Sequence, residues 1–259
     1  MIPPGDRPRD SSAVDEAAPP RHNKQTGNVG NGGDILKHAS LMHLAQLLAC
    51  SHPRSTINYL DTHAFLLRAP LANREWNAQV QGLAVAHEAY RGYQILQQGR
   101  LAGGEYLCSA GVVAAMLPDA RLFLSERDPA TRLLLQRQVR AGGRAAVILN
   151  DAADWRTWPG PRPAGPLLAL IDPFVLTASD WSTATAAVER FADHGEGGLL
   201  LVFNYDRQRP RVKWPRAPRG WNGPVAQMRA PPCFLCAFAT PDLADAAARR
   251  LAELGWQRS

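Results

Sequence analysis

The chain has 259 residues, 46% of them apolar and 20% charged, so it can bury a sizeable core, and disorder of the whole chain is excluded. Lys and Arg number 29 against 23 Asp and Glu, a net charge of +6 with a pI near 9.5, which permits a polyanionic partner without requiring one. The excess is concentrated: Arg207, Arg209, Arg211, Lys213, Arg216 and Arg219 occur with no acid between 207 and 219. No apolar run approaches the roughly 18 residues of a membrane span. The first 20 residues have Pro, Ser and acids where a signal peptide has an apolar stretch, and four cysteines are too few for a disulfide scaffold. The expectation is a cytoplasmic protein without a membrane association.

In chain order, residues 1–20 read as a disordered tail, followed by a single domain over 21–259. Residues 27–33 (GNVGNGG) form a Gly-rich turn, and Asp34 is expected to cap the helix ILKHASLMHLAQLLAC. Such a helix start can present backbone N–H groups to a ligand, or simply lead into an ordinary helix. Residues 55–60 (STINYL) read as a strand ending in Asp61, Thr62 and His63. Three further runs behave alike: 121–125 ends in Glu126, 145–149 in Asn150 and Asp151, and 167–171 in Asp172. Helical patterns at 128–140, with Pro129 behind an Asp128 cap, and at 180–194 separate them.

This alternation predicts an α/β fold, a mostly parallel Rossmann-like sheet with helices on both faces. Ligands of such sheets sit outside the carboxyl ends of the strands, where the four acids would gather. The 60 or so residues between Asp61 and the next strand are about twice what a crossover helix needs, so a helical subdomain is expected over about 66–106. The final third offers a strand at 198–203, the basic stretch, a strand at 233–239 and a helix at 242–254.

Acids at successive strand ends resemble class I S-adenosylmethionine (SAM) methyltransferases, and the local motifs narrow the resemblance. Gly30, Asn31, Asp34, Leu36, Lys37 and His38, then YLDTHA from Tyr59 to Ala64, Tyr106 with Ser109, Ser125 to Pro129, and Ile171 to Pro173 occur in that order. Together they are similar to the RlmJ-type methyltransferases of bacteria, which methylate adenine N6 in large-subunit ribosomal RNA. The likeness spans roughly residues 21–203.

The resemblance implies SAM as cofactor, His38, His63, Ser109, Glu126, Asp151 and Ala152 around it, and Asp172 at the reacting amine. Read without it, Glu126 suits either a ribose diol or a helix cap, Asp151 an adenine amine or a turn, and a lone His is more often structural. The chain departs from the family at three places. Phe65-Leu66-Leu67 replaces a Gly-x-Gly after the first strand, where glycine allows close backbone approach and positive φ. Asp172-Pro173-Phe174-Val175 stands for Asp-Pro-Pro-Tyr, and Asn23 for a Tyr near the substrate.

Other chemistry is thinly represented. Cys233-x2-Cys236 has no second pair, and in a strand its side chains point to opposite faces, so no metal is expected. There is no phosphate-binding loop and no zinc-protease motif. The stretch 207–219, with Trp214 and nearby Trp221, suits contact with RNA phosphates and bases, or a Pro-stiffened solvated loop. Three functions stay open: a SAM-dependent methyltransferase acting on an amine or other nucleophile, a catalytically silent fold binding RNA or protein, and a small-molecule methyltransferase. The sequence leaves the oligomeric state open.

Overall fold

The computed structural model describes residues 29–72, 75–173, 178–192, 196–205, 217–230 and 233–258. The expected tail at 1–20, Asn23, Phe174-Val175 and the basic residues 207–216 lie outside the described residues.

Helix α1 (Gly32–Ser51) is buried along most of its length. It is capped by Asn31, not by Asp34 as the sequence suggested: the Asn31 side chain accepts the Asp34 N–H at 3.0 Å. Asp34 sits in the first turn, where its Oδ2 accepts the Gly30 N–H at 2.9 Å. The start moved upstream because Asn31 takes the extended backbone and side-chain acceptor role an N-cap requires, which leaves the Asp34 carboxylate available to Lys37, one turn further along the helix.

Strand β1 (Asn58–Asp61) is fully buried and continues into the loop 62–67. The region read as a helical subdomain holds β2 (Arg68–Pro70), α2 (Trp76–Ala86), α3 (Ala89–Leu101) and β3 (Glu105–Leu107), with β2 and β3 paired antiparallel. Gln97 on α3 ties this unit together by bonding both the N–H and the carbonyl of Leu107 at 2.9 Å. Helix α4 (Ser109–Met116), which the sequence did not signal, follows directly.

The alternating part matches the sequence closely. Strand β4 (Arg121–Ser125), α5 (Pro129–Ala141) with Asp128 as its cap, β5 (Ala146–Leu149), a short 3-10 helix (Ala152–Arg156), β6 (Leu167–Ile171) and α6 (Ala178–Ala192) come in order. Strand β7 (Gly198–Tyr205), β8 (Asn222–Ala230), β9 (Cys233–Ala239), α7 (Ala244–Ala252) and β10 (Gln257–Arg258) complete the fold.

The main sheet runs β10-β8-β9-β7-β6-β1-β4-β5. Its five strands from β7 to β5 are mutually parallel, and β9, β8 and β10 add an antiparallel edge. Period-2 alternation divides the apolar residues between two cores. Leu168, Leu170, Leu199 and Leu201 face the layer of α1, α4 and α7, whereas Leu167, Ala169, Ile171 and Leu200 face α6 and Trp155. The chain leaves β1 toward β4 and later crosses back to β6, so β1 and its two neighbours form the switch point where parallel sheets open a crevice. Among the described residues no helix is long and apolar enough to cross a membrane.

Candidate functional site

Register brings the strand-end acids together. Asp61 pairs with Leu124 of β4 and Leu170 of β6, so Glu126 and Asp172 both lie two residues beyond it, one on each side. Asp61 is itself buried, accepting the Tyr59 hydroxyl on Oδ2 at 2.9 Å and the His63 N–H on Oδ1 at 3.1 Å. Burial pushes its carboxyl up to about 6. Glu126 is buried too; its Oε1 accepts the Asp128 N–H at 2.7 Å, and among the described residues Oε2 takes no hydrogen bond. Burial raises Glu126 to about 7, with the negative charge of Asp61 adding to the effect.

Asp172 meets the feature that sequence reasoning quoted without giving it a role. The Lys37 ammonium lies 2.6 Å from Asp172 Oδ2 and 2.9 Å from Asp34 Oδ1, and 5.1 Å from the centre of the Phe203 ring. Although burial opposes its charge, Asp172 and Asp34 hold Lys37 above the ordinary lysine range. Burial pushes Asp172 up to about 7 against the pull of Lys37. Lys37 lies three residues after Asp34, so a cation one helical turn from Asp34 was visible in the sequence; its reach to Asp172 was not.

His38 belongs to a buried chain of hydrogen bonds. Its Nδ1 lies 2.8 Å from the Tyr106 hydroxyl and its Nε2 2.9 Å from Ser109 Oγ, and Tyr106 in turn meets the Tyr93 hydroxyl at 2.6 Å. Burial lowers His38 to about 3, so the ring is neutral and one nitrogen donates while the other accepts. With both nitrogens engaged, His38 orients Ser109, the first residue of α4. Tyr93 was not foreseen; it comes from the inserted helices, and its role depends on tertiary packing.

His63 is half-buried, with Nδ1 2.8 Å from Thr62 Oγ1, and burial lowers it to about 4. Asp151 caps the 3-10 helix through the Ala153 N–H at 3.0 Å and binds Arg127, while Ala152 is buried beside it. The loop after β1 is well tied: Gln138 Oε1 accepts the N–H groups of Leu67 and Arg68 at 2.9 and 3.1 Å, and Leu67 accepts the Cys108 N–H at 3.0 Å. Leu66 and Leu67 are buried in the core and Phe65 packs against it, so the side chains that replace the family's glycines contribute to packing. Cys236 is buried within β9, and among the described residues no cluster of ligating side chains could hold a metal.

The crevice therefore carries Asp61, Glu126 and Asp172, with Asp34 behind them, against the single ammonium of Lys37 and two neutral imidazoles. Such a balance disfavours a phosphate-bearing cofactor and suits a cation. A sulfonium fits this donor set, and Glu126 Oε2 and the Asp151 carboxylate fit a ribose diol and a purine amine.

The parallel order on either side of β1, with the antiparallel β9 beyond β7, gives the class I methyltransferase-type α/β fold. Known proteins bear on this only through structure, since no family model and no curated protein matches the chain. Protein LPL1258 from Legionella pneumophila is 20% identical and superposes with a TM-score of 0.51 over 69% of each chain, a likeness of fold. HI0767 from Haemophilus influenzae, a candidate methylase, is 11% identical at a TM-score of 0.41, over 81% of this chain and 98% of that one. YhhF from Escherichia coli, a candidate methyltransferase, is 15% identical at 0.36, over 51% and 71%. These last two likenesses are partial and say nothing of activity.

Proposed function

We propose that the protein is a SAM-dependent methyltransferase acting on an amine, with adenine N6 of large-subunit ribosomal RNA, the substrate of the RlmJ-type family, as the candidate acceptor. The observation that carries this reading is the net-anionic crevice at the switch point of a parallel sheet, flanked by Glu126 and Asp172 at equal depth beside Asp61. When bound, SAM supplies a methyl group already activated by its sulfonium. Glu126 is the acceptor for the ribose hydroxyls, and Asp151 with Ala152 holds the adenine edge. Ser109, oriented by His38, and His63 line the remainder of the cofactor site.

Asp172 serves the acceptor. Among the described residues its Oδ1 takes no hydrogen bond, so it can receive an amine hydrogen while Oδ2 stays on Lys37. A carboxyl near neutrality is matched to taking the proton that the amine loses. Lys37 fixes the carboxylate and limits its upward drift. The basic stretch 207–219 is the proposed contact for RNA; its described end is anchored where the Arg219 N–H donates to Glu189 Oε1 at 3.0 Å. Phe65 and Leu67, the departures from the family's glycines that favour a catalytically silent fold, have a packing role: Leu67 lies in the core and Phe65 packs against it.

The test is transfer of labelled methyl from SAM to ribosomal RNA fragments and to small amines, with wild type and Asp172→Asn. Labelling of RNA that falls about 100-fold or more in the variant supports the assignment of Asp172. Equal labelling by both proteins contradicts it, and labelling of small amines alone redirects the substrate.

A further inference from the structure

Arg127 and Asp151 face each other across the rim of the crevice, between its two outermost parallel strands. Ser125 of β4 pairs with Leu149 of β5, and carrying that ladder two residues past both strands sets Arg127 opposite Asp151. The side chain closes the gap: Arg127 Nε donates to Asp151 Oδ2 at 2.8 Å, and a terminal nitrogen lies 2.5 Å from the same oxygen. Both sides of the bridge are anchored. Arg132 donates to the carbonyls of Glu126 and Arg127 at 2.9 and 3.3 Å. Asp154 Oδ2 accepts the N–H groups of Asn150 and Asp151, each at 3.1 Å, and Ala153 donates to Asp151 Oδ1.

Arg127 is 79% exposed, so as an ion pair it contributes little to global stability. Its effect is local. With Oδ2 turned to the guanidinium, the acceptor capacity left to Asp151 is on Oδ1, in a fixed plane. Although burial works the other way, the Ala153 N–H and Arg127 hold Asp151 below the usual carboxylate range, so near neutral pH it accepts hydrogen bonds and does not donate them.

We propose that Arg127 is a positioning residue that sets purine specificity, fixing Asp151 as an acceptor for an exocyclic amine so that the rim selects a 6-aminopurine over a 6-oxopurine. This rests on the reading of the crevice as a SAM site. An amino group donates to such a carboxylate, whereas an oxo group opposes it with a second lone pair. The assignment adds to Asp151 a residue on another loop, 24 positions earlier, inside the Ser125–Pro129 motif, which gives it no role.

The test is competition calorimetry of S-adenosylhomocysteine and S-inosylhomocysteine against wild type, Arg127→Gln and Arg127→Lys, with circular dichroism confirming the fold. Wild type is expected to prefer the adenosyl compound by about tenfold or more, the effect of one charge-assisted hydrogen bond. Arg127→Gln should bring the two within about threefold by weakening the adenosyl compound alone, and Arg127→Lys, which keeps the charge without the planar fork, should fall between. Equal weakening of both ligands by Arg127→Gln, or an unchanged preference, overturns the inference while the cofactor reading stands. Adenosyl binding without purine preference in wild type does the same. Folded wild type that binds neither compound overturns the cofactor reading, and the inference with it.

Discussion

Lys37→Met removes a buried cation from between two carboxylates. In the structure the ammonium sits 2.9 Å from Asp34 and 2.6 Å from Asp172, with its side chain 8% exposed. Breaking a buried pair from one side leaves charge without compensation and costs about 3–5 kcal/mol. Asp172 is already pushed up to about 7 with Lys37 present, and without Lys37 it rises further. A folded-state pKa above the unfolded value means the folded state holds the proton more tightly. The associated stability is present at low pH and is lost as pH rises through the folded value. Each pH unit over which one such carboxyl is protonated only in the folded state is worth about 1.4 kcal/mol. Wild type makes the same gain below about 7, so Lys37→Met should be near its full deficit at about pH 8 and should recover on the order of 1 kcal/mol of it by about pH 5.5. Urea unfolding followed by tryptophan fluorescence at the two pH values measures this, and Asp172→Asn in the Lys37→Met background should recover part of the deficit at the higher pH. A deficit below about 1 kcal/mol, equal at both pH values, with no recovery in the double variant, would refute the reasoning.

Further predictions concern the frame around the site. In wild type without ligand, Asp61 at about 6 and Glu126 at about 7 both hold protons more tightly when folded, so their contribution to stability declines from about pH 5 to about pH 8, while the buried neutral His38 and His63 oppose it below about pH 6.5. Glu126 alone contributes up to about 3 kcal/mol, so the stability of wild type measured against Glu126→Gln should fall over that range, and a difference that stays flat or rises would contradict the buried placement. Tyr106→Phe strips both His38 Nδ1 and the Tyr93 hydroxyl of a partner and should cost about 1–3 kcal/mol by chemical denaturation; a neutral result would break the proposed chain to Ser109. Gly111→Ala would place a Cβ 1.8 Å from the Leu67 carbonyl oxygen, so a loss of about 3 kcal/mol is expected, and an undisturbed melting temperature would mean that the loop after β1 is not held against α4.

What the sequence disclosed follows from how locally each feature is encoded. Strands at 121–125, 167–171 and 233–239 are apolar runs with β-forming side chains bounded by polar residues, and they stand where the pattern put them. The Asp128-Pro129 start of α5 is a purely local device and was legible for the same reason. Strand β8 escaped notice because Gly223, Pro224 and Arg229 interrupt any alternation; its place is set by pairing with β9 across an irregular register. The N-cap went to Asn31 because two candidates lie three residues apart, and Asp34 instead pairs with Lys37 one turn on, a local contact within the same helix. The acids of the site were readable since strand ends in a parallel sheet converge by topology. The bridge from Lys37 to Asp172 spans 135 positions, and neither residue carries a local mark of the other. Tyr93 and Gln97 likewise enter only through the packing of α3 on β3.

The central claim is that an anionic crevice at the strand ends receives a cationic adenosyl cofactor. Isothermal titration of the folded chain with SAM at about pH 8 tests it most directly, because Glu126 and Asp172 are then largely ionised. The account predicts saturable one-site binding that weakens as the pH falls through about 7 to about 6 and is lost in Glu126→Ala. Absence of binding at ligand concentrations of about 1 mM, or binding indifferent to both pH and Glu126, would contradict it.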